Sequence, residues 1–373
     1  MKIRFGAPLC PILSLAILAF SGLAGSATAQ EATIAPGSER PMFTRLTPTL
    51  HSPKTLIEAA STPLQTWNGS FTYSGKTYSY NMVGSAPSTG GSATIQVKII
   101  PVKIVITSRS GVKSTYDPSH VLSNGKTVTN NTVASPIFSS ALDFKSGGAD
   151  MGATQYIDAY QRANFWGTVQ SHTGSHVLLG GPQVLSEVTL SPSTRYGQTG
   201  TVFGFTAGLV DINWFDSQLH SLITSLGITP NTFPIFLTYD VYLTQSRSCC
   251  IGGYHSSTGS TSAPQSYAHA TYVDRAGAFA QDVSALSHEV GEWVDDPLVV
   301  NINGNNTPCG ILEVGDPLEN NSNYGGFPYT LNGFTYNLQD LVTLPYFGAP
   351  PSTSVNGEFT FQGEGLTVCQ NGS

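Results

Sequence analysis

Between Asp211 and Pro297 the hydrophobic period changes in a fixed order: helix, strand, loop, strand, helix. No other part of the chain constrains the architecture as tightly. Trp214, Phe215, Leu219, Leu222, Ile223 and Leu226 recur at helical spacing, with Asp211 opening the helix and Gly227 ending it. Residues 233–243 form an apolar strand of core character. Gly, Ser and Thr gather over 252–265 and predict a loop, after which Tyr267 to Val273 reads as a second strand. The last helix is predicted from about Phe279 to Asp295, where Pro297 stops it.

Upstream, residues 66–135 read as strands. The clearest are 93–100 and 102–106, rich in β-branched residues and separated by Pro101. Tyr156, Ala159, Tyr160, Ala163 and Trp166 predict a helix over 154–166, and 201–206 predicts another strand. Beyond Pro297 the chain is Asn-, Gly- and Pro-rich up to 357, with a short strand at 358–362 and a further pairing at 366–369. The class is α+β: a mixed sheet with a backing helix and a site-bearing helix, strand-rich before and loop-rich after. That order is similar to the zincin type of zinc-dependent protease, an analogy of fold.

Lys2, Arg4, an apolar run over 9–20 and Ala27-Thr28-Ala29 predict a secretory signal over 1–29, too short in its apolar part to span a bilayer. Residues 30–65 are polar and Pro-rich, a leader or pro-segment, and 66–373 reads as one domain. With the signal removed, 14 basic residues face 23 acidic ones, a net of −9. No basic cluster exists, which excludes nucleic acid and anionic membrane as expected partners. Charged residues are only 10% of the chain, the profile of a secreted protein, extracellular or periplasmic. Cys249, Cys250, Cys309 and Cys369 form an even set and predict two disulfides. A bridge between neighbours strains its peptide, so Cys249 and Cys250 are each expected to reach Cys309 or Cys369. A four-thiolate zinc site is the alternative.

Despite this low charge, His288, Glu289, Glu292, Asp295 and Asp296 fall within nine positions, on a helix whose other face is apolar. Four residues apart, His288 and Glu292 share a face and are the predicted metal ligands. Glu289, next to His288, is the predicted general base on metal-bound water. Glu313, 21 residues after Glu292, is the predicted third ligand. Asp316 and Asp296 are rivals or supports, and His269 and His255 are further candidates, read first as substrate-side or structural groups. Tyr267 or His269 is a candidate for stabilising an oxyanion. Zinc fits this set, and the anionic character of one His with two Glu also admits manganese or calcium.

These residues resemble a known family. Cys250-Ile251-Gly252-Gly253-Tyr254-His255 is similar to the Cys-Gly-Phe-His segment of the phosphate-induced protein 1, or EXORDIUM, family. Ser287-His288-Glu289-Val290-Gly291-Glu292, followed by Asp296-Pro297-Leu298-Val299, resembles its Ser-His-Glu-Leu-Ala-Glu and Asn-Pro-Leu-Val segments. Leu312-Glu313-Val314-Gly315-Asp316 resembles its Glu-Ile-Gly-Asp segment, and the order is kept. The Cys249-Cys250 doublet and the Asp295-Asp296 pair depart from the pattern. The resemblance implies an extracellular protein and supports grouping His288, Glu289, Glu292, Glu313 and Asp316. Related bacterial secreted proteins share the Ser-His-Glu-x-x-Glu helix, and the resemblance implies that 154–166 is a structural helix common to them.

The expected function is a secreted zincin-like metallohydrolase acting on a peptide or protein. The alternative is a non-catalytic extracellular protein with a structural metal or carboxylate network. Binding to cell-wall polysaccharide is a third reading, resting on 16 Tyr and 4 Trp in a low-charge chain.

Overall fold

The computed structural model describes residues 39–55, 60–73, 76–140, 142–146, 149–164, 171–246, 248–299 and 326–339, with isolated positions at 58 and 169 and two-residue strands at 342–343 and 358–359. In chain order the strands begin with β1 (Glu39–Arg45), β2 (Thr49–His51), the hairpin of β3 (Thr66–Tyr73) and β4 (Lys76–Val83), β5 (Ala93–Thr107) and β6 (Lys113–Tyr116). Helix α1 (Val128–Val133), the hairpin of β7 (Leu142–Ser146) and β8 (Ala149–Thr154), and helix α2 (Tyr156–Asn164) follow. Next come β9 (Val177–Leu179), β10 (Gln183–Val184), β11 (Val188–Leu190), β12 (Gly197–Val202), β13 (Phe205–Asp211) and helix α3 (Ile212–Ser225). The site region holds β14 (Thr232–Tyr239), β15 (Val241–Gln245), β16 (Ser248–Ser260), β17 (Ala263–Tyr272) and helix α4 (Ser284–Asp295), and the hairpin of β18 (Gly326–Leu331) and β19 (Phe334–Gln339) packs behind it.

The architecture is mixed α+β. The large sheet runs β10-β5-β14-β17-β16-β15-β13-β12, with β1 and β2 added to β16. Strands β5, β14 and β17 are parallel neighbours, and β16 is antiparallel to β17. One face is covered by α3, whose Phe215, Leu219 and Ile223 pack with Tyr254 and Tyr267. The other is covered by α2 and α4, where Tyr156, Tyr160, Leu286, Val290 and Trp293 share a core with Ile99, Phe233 and Ile235. Covering both faces explains why β14 is apolar along almost its whole length. No described helix is long and apolar enough to cross a membrane.

Helix α3 starts and stops where the sequence predicts. The Asp211 carboxylate accepts the Trp214 amide at 2.9 Å, and Gly227 takes a φ of 60°, which costs a glycine little. Helix α4 is buried from Ala285 to Asp295. A glycine inside a helix costs about 1 kcal/mol against alanine. At Gly291 a Cβ would meet Tyr160 Cζ at 2.9 Å, so the glycine is what lets α4 approach α2.

Several expectations change. The predicted loop over 252–265 is instead most of β16, its turn and the start of β17. Pairing on both sides of β16 overrides the weak strand propensity of its Gly and Ser residues. The single strand predicted at 201–206 is the turn of the β12–β13 hairpin, with positive φ at Phe203 and Gly204. Pro101 does not divide β5. It falls where one neighbour changes from β10 to β11, a break in the ladder where a missing N–H is tolerated. Within the expected leader, residues 39–51 contribute β1 and β2. Within the expected loop-rich tail, Asn332-Gly333 turns the β18–β19 hairpin with both φ values positive, 53° and 79°.

Candidate metal centre

Helix α4 crosses the face of β16 and β17, and alternation along β16 decides which residues it meets. Tyr254 points to the α3 side. Gly253 and His255 lie toward α4: a Cβ on Gly253 would stand 2.6 Å from Glu289 Oε1, and His255 reaches the same carboxylate. The glycine makes room for the glutamate.

His255 Nδ1 lies 3.3 Å from Glu289 Oε2 and 3.8 Å from Glu292 Oε2. Ligand atoms of His255, Glu289 and Glu292 all lie within 4.8 Å of one another, and all three residues are buried. On its far side the imidazole donates from Nε2 to the Asp296 carbonyl at 3.1 Å. This leaves Nδ1 facing two carboxylates, and either a proton on Nδ1 or a cation must stand between them. Glu289 Oε1 is buried and has no hydrogen-bond partner among the described residues. One imidazole nitrogen and oxygens from two carboxylates form a donor set that suits a divalent ion. The His255, Glu289 and Glu292 group could therefore hold a metal ion.

His288 lies beside this group. Its Nε2 stands 3.1 Å from Glu292 Oε1, so Glu292 sits between two imidazoles. The ring stacks on Phe43 with centroids 3.6 Å apart, and Nδ1 bonds Gln339 Oε1. Gln339 is held in turn: its amide donates to Ser287 Oγ at 2.8 Å, and its carbonyl accepts from the Tyr156 hydroxyl at 2.5 Å.

The electrostatics describe a centre with surplus negative charge. Burial pushes Glu289 up to about 7, partly opposed by its hydrogen bond with His255. Asp295 is pushed well above the carboxylate range by burial, with Asp296 and Glu292 adding repulsion. For His255 burial lowers the pKa, but Glu289, Glu292 and Asp296 outweigh it and the net shift is upward. Buried carboxylates of this density are costly unless a cation or protons compensate them.

The predicted residues separate as follows. His288 and Glu292 do meet, but His288 is not in the three-residue group, and His255 takes the place foreseen for it. Glu289 falls inside the group rather than beside it. Asp296 meets His255 through its carbonyl. His269 and Tyr267 belong to the opposite face: His269 packs on Phe215 at 4.7 Å and bonds Thr238 Oγ1 at 3.0 Å, while Tyr267 donates to Asp216 at 2.6 Å. Neither can serve as ligand or oxyanion donor at α4, because the sheet lies between. Burial drives His269 down to about 3, consistent with a neutral core residue.

Glu313, Asp316, Cys309 and Cys369 lie outside the described residues. Cys249 and Cys250 are joined to each other, contrary to the expected long-range bridges. Their shared peptide is cis, with Cα atoms 3.0 Å apart, and both residues are buried. Gln339 was missed, although the Asn332-Gly333 turn that brings it back to α4 is a strong hairpin signal.

No protein-family model matches the chain, and neither a curated protein nor a solved structure matches it.

Proposed function

We propose that this chain is a secreted, zincin-like hydrolase that uses one divalent metal ion, zinc by the chemistry of its donors, and acts on polypeptide. The observation that carries the reading is the meeting of His255 Nδ1, Glu289 and Glu292 within 4.8 Å while His255 Nε2 is tied to a main-chain carbonyl. When bound, a divalent ion would supply Lewis acidity and an acidified water. His255 and the two carboxylates would hold the ion, so Glu289 would act as a ligand in this arrangement. His288, braced by Gln339 and Phe43, orients Glu292. The adjacent disulfide suits an oxidising compartment, and the resemblance of the Ser-His-Glu-x-x-Glu helix to EXORDIUM-like proteins fits an extracellular setting.

The test has two parts. Zinc, manganese and calcium are each titrated into the purified protein, and casein and a peptide library are then offered to the loaded form. One ion per chain together with cleavage that is lost in Glu292→Gln supports the proposal. The complete burial of His255, Glu289 and Glu292 favours a second reading, a metal that only holds the fold. That reading prevails if one ion binds and raises Tm but nothing is cleaved.

A further inference from the structure

The margin of the sheet beside the metal group is closed by a segment from far away in sequence. Gly253, Tyr254 and His255 pair with Ala270, His269 and Ala268 of β17 on one side. On the other they pair with Phe43, Thr44 and Arg45 of β1, in parallel. Thr258, Gly259 and Ser260 likewise carry β17 on one side and β2 on the other. Ser256 Oγ donates to the Leu46 carbonyl at 2.9 Å, and Thr258 Oγ1 to the Thr49 carbonyl at 3.2 Å.

Side chains of β1 alternate. Met42 packs toward the α3 core, while Phe43 enters the α4 core, stacks on His288 and lies 4.9 Å from Phe279. Among the described side chains of residues 39–51 only Phe43 is buried, at 5% exposure. Main-chain pairing plus one aromatic anchor is how a sheet edge holds an added peptide. The residues that follow, 52–55, are exposed.

We propose that residues 39–51 are an intramolecular occluding strand, seated where an extended polypeptide pairs with β16, and that the metal centre opens when this strand leaves. What the opened edge receives rests on the hydrolase reading above. The occlusion itself rests on β1, β2 and the Phe43–His288 stack.

The experiment places a recognition sequence for a site-specific protease between Pro53 and Lys54 of the full chain. After cutting, a labelled peptide with the sequence of residues 39–51 is titrated into cut and uncut protein. The cut protein is expected to take up the peptide saturably by exchange, and the uncut protein to take up none. A peptide with Phe43→Ala is expected to bind about tenfold more weakly, the worth of one good aromatic stack.

Zinc is titrated on the same samples. Peptide uptake without zinc binding leaves the occlusion standing and removes the hydrolase reading. Zinc binding without peptide uptake overturns the occlusion. If cutting unfolds the protein, uncut Phe43→Ala decides. Faster amide exchange at residues 253–255 together with faster carbethoxylation of His288 supports the proposal, and unchanged rates overturn it.

Discussion

The Nδ1 atom of His255 lies 3.3 Å from Oε2 of Glu289, a residue 34 positions later on a different element. Strand β16 carries the imidazole and helix α4 carries the carboxylate. The centre therefore exists only when that helix is docked on the sheet, and its chemistry is coupled to the fold.

The two histidines near Glu292 are expected to differ. His255→Ala removes a donor from the group, whereas His288→Ala removes a brace on Glu292. Isothermal titration with zinc should show a loss of about 10–100-fold for His288→Ala, the usual effect of an outer partner, and a larger loss for His255→Ala. Equal losses, or a larger one at His288, would return the ligand role to His288.

Gly253→Ala is expected to destabilise the protein by about 1–3 kcal/mol, the usual cost of forced overpacking. The new methyl would meet Glu289 Oε1 at 2.6 Å and the His269 carbonyl at 3.0 Å, and the second of these is backbone that cannot step aside. Urea unfolding gives the stability, and zinc titration of the same variant should show weakened binding because Glu289 must move. A variant with unchanged midpoint and affinity would contradict the close packing of β16 under α4.

Asp282 gives a pH dependence away from the centre. Its carboxylate accepts from the Asn337 amide at 2.9 Å and from Asn337 Nδ2 at 2.6 Å, yet burial pushes its pKa up to about 7. Between the unfolded value near 4 and this raised value, the folded chain holds a proton that the unfolded chain has lost. Stability should therefore fall as pH rises through that window, by at most about 1.4 kcal/mol per unit from this group. Denaturation curves across pH 4 to 7 should show this slope reduced in Asp282→Asn, and an unchanged slope would assign it to other groups.

The cysteine pairing is open to direct mass measurement. Digestion without reduction should give one peptide carrying both Cys249 and Cys250, lighter by two hydrogens than its reduced form. A cross-linked pair of peptides joining either residue to Cys309 or Cys369 would restore the long-range scheme.

What the sequence determined by itself was local. The repeat of Trp214, Phe215, Leu219 and Ile223, the Asp211 cap and Gly227 define α3, because a helix is specified by residues within a few positions of one another. The acidic, His-bearing face of α4 was legible for the same reason, and it located Glu289 and Glu292. Tertiary structure alone decided the rest. Nothing in Gly252-Gly253-Tyr254-His255-Ser256-Ser257 marks a strand, and that stretch becomes one because β17 and β1 supply hydrogen bonds on both sides. Only that pairing sets which way each side chain points, placing His255 with the carboxylates and His269 behind the sheet. A helix period can be read along the chain, but the face of a strand is settled by neighbours that lie far away in it.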